Sequence, residues 1–158
     1  MHPFSYRLAR RIQKTLPDFV DVARGRLPEF VYGGPLRGLP AFTYHAVDQS
    51  FETSLAALRD GGYHTVGAAE VAAFLHGDWA PSGREVVLTF DDGLVSLARV
   101  AVPLLRRYGF RALAFVVAGR VPPRSDQLLA GWEDLRAAAA DGVLEVGSHS
   151  LWHHHVPV

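Results

Sequence analysis

Two adjacent carboxylates, Asp91 and Asp92, close the segment REVVLTFDDG, and two imidazoles, His149 and His153, stand four residues apart in VLEVGSHSLWHHH. One carboxylate and two imidazoles form a three-donor N/O set that suits Zn²⁺ or a similar divalent ion such as Co²⁺ and leaves a coordination position open. Water in such a position has its pKa lowered towards about 7, and a second carboxylate within hydrogen-bond reach can then act as general base. Successive side chains on an extended segment point to opposite sides, so the two aspartates are expected to divide these roles. If the chain turns helically after His149, residues four apart share a face and both imidazoles can reach one ion. Gly93 lets the chain turn without a side chain blocking the pocket.

Each piece alone has a plainer explanation. Asp-Asp-Gly is ordinary turn or helix N-cap composition. Histidines near a chain end are commonly solvated surface, although His153-His154-His155 is too short and too embedded to be a convincing tag. Joint placement at the ends of two apolar strands is what favours chemistry. With no cysteine in 158 residues, disulfides and thiolate ligands are excluded, and any metal must be held by nitrogen and oxygen. Sixteen basic residues balance sixteen acidic ones, so no global field favours a nucleic-acid partner or an anionic membrane.

The elements that must carry these residues follow from local pattern. AFTYH reads as a short strand ending in His45. Phe51, Leu55 and Leu58 mark a helix face closed by Gly61-Gly62, and GAAEVAAFLHG is a second helix stopped at Gly77. REVVLTF and RALAFVVAG are rich in β-branched residues and read as buried strands, separated by the helix LVSLARVAVPLLRRYG. WEDLRAAAADG is a helix with acidic residues in its first turn and Gly142 just past its end, and VLEVGSHS is the next strand. Strands alternating with helices predict an α/β fold, a parallel sheet covered by helices, whose ligand sites lie at the carboxyl ends of the strands. Asp91, Asp92, His149 and His45 all stand at such ends.

LTFDDG resembles the first motif of the polysaccharide deacetylase family (NodB homology, carbohydrate esterase family 4). GSHSLWH is similar to the second, a histidine, Ser or Thr, two residues and another histidine. WEDLRAAAADGVLEVGSH resembles the family's lead-in to that motif, and TYHAVD with FETSLAALRDGGYHTVGAAEVAAFL is similar to the upstream region of bacterial members. The similarity runs from about Leu39 to His153. It implies an incomplete (β/α) barrel and metal-dependent removal of N-acetyl, or O-acetyl, groups from a polysaccharide. By the same resemblance Asp91 would be the catalytic base, and Asp92, His149 and His153 the metal ligands. Thr89 and Phe90 would support the strand end, and Ser150 would orient the loop. His45 is a candidate substrate-groove residue and equally a candidate structural histidine.

Two domains are expected: residues 1–38 as an N-terminal helix and connecting loop, and 39–158 as a partial deacetylase domain. Phe4, Leu8, Ile12 and Leu16 recur at helical spacing, and PEFVYGGPLRGLP reads as the connection. The first twenty residues lack a continuous apolar stretch and a small-residue cleavage site, so no secretory signal is expected, and a cytoplasmic or envelope-associated location is left open. The apolar stretch from Val95 to Gly119 is interrupted by Arg99, Arg106, Arg107 and Arg111, so no transmembrane span is expected. The family's later motifs, which supply an arginine beside the base and a histidine general acid, have no counterpart before Val158. The chain is therefore expected to be the front part of a longer enzyme, inactive by itself. The alternative is a metal- or carbohydrate-binding protein without catalysis.

Overall fold

The computed structural model describes residues 38–154. The expected N-terminal helix, with Phe4, Leu8, Ile12 and Leu16, lies outside the described residues, as does nearly all of the proposed 1–38 unit.

Within the described chain the order is β1 (Ala41–Tyr44), α1 (Phe51–Asp60), β2 (His64–Thr65), α2 (Ala68–His76), β3 (Glu85–Asp92), a π-helical turn (Leu97–Ala101) running into α3 (Val102–Tyr108), β4 (Ala112–Val116), α4 (Trp132–Ala140) and β5 (Leu144–Ser148). All strand pairings are parallel, with order β1-β3-β4-β5 and β2 paired to the first residues of β3. The result is an α/β sheet with covering helices, an incomplete (β/α) barrel. No helix among the described residues is long and apolar enough to cross a membrane.

The β pleat sends alternate residues of β3 to opposite faces. Val86, Leu88 and Phe90 enter the larger core with Phe51, Leu55 and Leu58 of α1 and Leu104 and Leu105 of α3. Val87 enters a smaller cluster with Val66 and Leu113, against which Val71 and Trp79 pack. A strand buried on both faces is a continuous apolar run rather than an alternating one, which explains the composition of VVLTF. Phe90 anchors the end of that strand. It is fully buried, stacks on Tyr44 at 5.4 Å and meets Phe51 edge-on at 5.6 Å, a burial that contributes about 1.5–3 kcal/mol. On the other face Thr89 Oγ1 donates to or accepts from Thr43 Oγ1 at 2.9 Å, tying β3 to β1.

Two details depart from the sequence pattern. β2 is too short to show any periodicity and is held by long-range bonds: His64 N–H donates to the Arg84 carbonyl, Val66 N–H to the Val86 carbonyl, and Thr65 Oγ1 accepts from Arg111 N–H at 2.8 Å. The helix after Gly93 is not uniform. Pro103 has no N–H to give to the preceding turn, and the chain immediately before α3 widens into the π-helical turn Leu97–Ala101.

Candidate metal centre

β3 pairs with β4 up to its last residue, Asp91 opposite Phe115 and Asp92 opposite Val116, while Val116 also faces Ser148 of β5. The carboxylates and the start of the histidine loop therefore sit at the same height, at the carboxyl end of the sheet. Strand alternation carries Asp91 to the face of Val87 and Thr89. It would carry Asp92 to the opposite face beside Phe90, but Asp92 has φ +67°, a left-handed conformation that re-aims its side chain. Gly93 follows with φ +72°, and a Cβ there would lie 3.0 Å from Val116 Cγ1, so both the turn and the close approach to β4 require glycine.

Beyond β5, the pairing with β4 continues as single hydrogen bonds. His149 N–H donates to the Val116 carbonyl at 2.8 Å, Ala118 N–H to the Ser150 carbonyl at 3.2 Å, and Gly119 N–H to the Leu151 carbonyl at 2.8 Å. The expected helical turn after His149 does not form. A helix there would use the Ser150 and Leu151 carbonyls as its own acceptors, and Ala118 and Gly119, just past β4, already donate to both. Instead Ser150 and His153 each adopt left-handed φ, +69° and +57°. Ser150 Oγ accepts the His153 N–H at 2.8 Å, which folds the loop back on itself. The loop achieves by backbone strain and side-chain capping the convergence expected from helical spacing.

The outcome is that Asp92 Oδ1 lies 3.7 Å from His149 Nε2 and 3.7 Å from His153 Nε2. The two imidazoles are 4.8 Å apart between centroids, tilted by 44°. One donor atom from each of the three residues lies within 4.8 Å of the other two. Separations of 3.7 Å are too long for direct hydrogen bonds. They are close to the ~3.4 Å expected between ligands that each sit about 2.1 Å from a tetrahedral ion. The donor chemistry, one carboxylate oxygen and two imidazole nitrogens, and the spacing both fit a divalent cation.

A pocket of about 530 Å³ opens beside this cluster, with Asp92 and His153 in its wall together with Leu94, Val117, Arg120, Leu128 and Leu129. The connection from β4 to α4 supplies most of that wall, through Val117, Arg120, Leu128 and Leu129. It is fastened to the DDG turn: Leu94 and Leu129 form an antiparallel bridge, Ala130 N–H donates to the Gly93 carbonyl at 2.9 Å, and Val95 N–H to the Leu128 carbonyl at 2.7 Å. Asp126 Oδ1 accepts from Leu129 and Leu128 N–H, both at 2.7 Å, and these two bonds hold its carboxyl below the ordinary carboxylate range. Sequence reasoning did not find this wall, because VPPRSDQLL reads only as a loop. His45 lies one residue past β1, exposed, at the same end of the sheet; it is not part of the Asp92–His149–His153 cluster.

The chain is similar to known proteins in sequence and in fold. Residues 79–157 match the family model described as Polysaccharide deacetylase. YxkH of Bacillus subtilis (strain 168) is 30% identical over 124 residues, covering 73% of this chain and 43% of YxkH. The poly-beta-1,6-N-acetyl-D-glucosamine N-deacetylase of Escherichia coli (strain K12) is 27% identical over 146 residues, covering 77% of this chain and 22% of that protein. IcaB from Ammonifex degensii superposes with a TM-score of 0.64 at 30% identity, over 75% of this chain and 54% of that one. A de-N-acetylase from Aggregatibacter actinomycetemcomitans shares the fold, with a TM-score of 0.60 at 23% identity over 75% of this chain and 57% of that one. The chain thus spans less than half of the curated relatives it matches. With its parallel sheet, its two motifs in order and these matches, the chain belongs to the polysaccharide deacetylase family.

Proposed function

We propose that this chain carries the metal-binding and base residues of a hydrolase that removes acetyl groups, N-linked in the first instance, from a polysaccharide. The observation that supports this reading most is the convergence of Asp92, His149 and His153 on a gap of ionic size at the carboxyl end of the sheet. Zn²⁺ is the ion that best matches one carboxylate and two imidazoles, with Co²⁺ as a workable substitute. When bound, such an ion would polarise the acetyl carbonyl and make water acidic enough to be activated near neutral pH.

The chain's own residues supply the rest. Asp92, His149 and His153 orient the ion, Ser150 fixes the backbone between the two histidines, and Gly93 keeps the approach clear. Asp91, next in the chain to a ligand, accepts the proton of the attacking water. Ser150 Oγ is engaged with the His153 N–H, which supports an orienting role rather than a nucleophilic one. The acetylated sugar lies across the strand ends, with exposed His45 at the β1 side of that surface. The named activity of the Escherichia coli relative, on poly-beta-1,6-N-acetyl-D-glucosamine, supports an acetylated glycan as substrate class.

The test separates ligand from base. Zinc-loaded wild type, Asp91→Asn and Asp92→Asn, each in the full-length protein, are compared for zinc content and for acetate released from N-acetylated oligosaccharides. Asp91→Asn is expected to keep its zinc and lose acetate release, and Asp92→Asn to lose both. Wild-type turnover by Asp91→Asn would remove that residue from the reaction.

A further inference from the structure

Among the described residues, every arginine but one has a partner. Arg106, Arg107, Arg111 and Arg124 meet carboxylates, and Arg99 donates to a carbonyl at 2.8 Å. Arg59, Arg84 and Arg136 lie over aromatic rings. Arg120 has no ion pair, hydrogen bond or ring contact from its side chain among these residues, yet it stands in the wall of the pocket that also contains Asp92 and His153. Arg120 is exposed, and its neighbours in that wall, Leu94, Val117, Leu128 and Leu129, are aliphatic, so its five N–H donors are left to solvent or to a ligand.

The position is fixed from both sides. Arg120 N–H donates to the Val117 carbonyl at 2.8 Å in the turn that ends β4, and the preceding Gly119 is bonded to the histidine loop. Among the described residues Asp92 is the only acid in the pocket wall, and no ion pair links it to Arg120. Once Asp92 serves a cation, that wall keeps a guanidinium with no protein counter-charge. A planar guanidinium beside apolar walls selects a carboxylate, which it can bind through two parallel hydrogen bonds.

We propose that Arg120 holds the carboxylate of the acetate released by deacetylation, making it a product-binding residue of this pocket. The inference rests on the deacetylase reading above. Hydrolysis of an acetamide breaks the C–N bond, gives the nitrogen a proton and leaves the acyl carbon as a carboxylate, so an anion forms in this pocket at every turnover whatever the polymer.

Acetate binding to the 158-residue chain, measured by NMR titration in zinc-loaded and zinc-free samples, tests this with Arg120→Gln, Arg120→Lys and thermal melts alongside. A charge-assisted hydrogen bond contributes about 1.5–3 kcal/mol, so Arg120→Gln should weaken acetate by about tenfold or more. Arg120→Lys, which keeps the charge without the fork, should recover part of the loss. Zinc content and melting temperature should stay at wild-type values in both variants. If zinc binds and acetate affinity does not depend on residue 120, the proposal falls alone. The same holds if acetate does not bind, or if the Gln variant loses stability in step with affinity. If the wild type takes up no zinc, the deacetylase reading falls, and acetate binding that still depends on Arg120 would leave the anion site standing.

Discussion

Gly119→Ala is expected to loosen the metal centre without altering a single ligand. A Cβ at position 119 would lie 2.6 Å from the Leu151 carbonyl oxygen and 2.8 and 2.9 Å from two carbons of the Trp152 ring, where ordinary contact begins at 3.4 Å. The Trp152 ring, half exposed, can swing away, but the carbonyl belongs to the backbone between His149 and His153. It must retreat by roughly 0.8 Å, and the 2.8 Å hydrogen bond from Gly119 N–H to Leu151 is stretched with it. Displacements of this order around a site cost about 10–100-fold in metal affinity, on top of about 1–3 kcal/mol of overpacking. Competition with a chelator of known zinc affinity reads the first effect, and thermal unfolding the second. Gly109→Ala is the control. Gly109 caps α3 with φ +70° and nothing within 4 Å of a Cβ, at the opposite end of β4, so it should lower stability and leave zinc affinity alone. Wild-type zinc affinity in folded Gly119→Ala, or equal loss in both variants, would refute the idea that this contact sets the loop's position.

Ser150→Ala removes the acceptor of the His153 N–H and should cost about 1 kcal/mol of stability together with weaker zinc binding; unchanged zinc affinity would show that the left-handed turns hold the loop unaided. At the other end of the sheet, the Glu70 carboxyl is held below its ordinary value of 4.5, first by its own backbone N–H and then by Arg111. A depressed carboxyl contributes stability that is complete above the ordinary range and lost as pH falls through the lowered value. The melting-temperature gap between wild type and Glu70→Gln should therefore be constant near neutrality and shrink below about pH 4.5; a gap that widens on acidification would contradict the sign.

What could be read from sequence was what depends on composition and period. The run VVLTF announced a strand buried on both faces, and Val86, Leu88 and Phe90 on one side with Val87 on the other are that burial realised. Gly61, Gly77 and Gly109 close helices where the sequence pattern ends them. The grouping of Asp92, His149 and His153 was legible from strand ends and motif order, but the means of grouping was not. Helical spacing suggested a turn of helix, whereas Asp92, Ser150 and His153 converge through left-handed backbone, set by long-range bonds to Val116, Ala118 and Gly119 that no local pattern encodes. The pocket wall was hidden for the same reason. Leu128 and Leu129 look like loop residues until the bridge to Leu94 brings them beside the carboxylate. Arg120 gave no signal at all, since an arginine after a strand is distinguished only by what does not pair with it.

The central claim is that Asp92, His149 and His153 form one metal site. Zinc stoichiometry of the purified, tag-free chain, measured beside Asp92→Ala with circular dichroism to verify folding, tests it most directly. One zinc per folded chain, absent from folded Asp92→Ala, is the predicted result. A folded wild-type chain that takes up no zinc, or an Asp92→Ala variant that keeps it, would contradict the account.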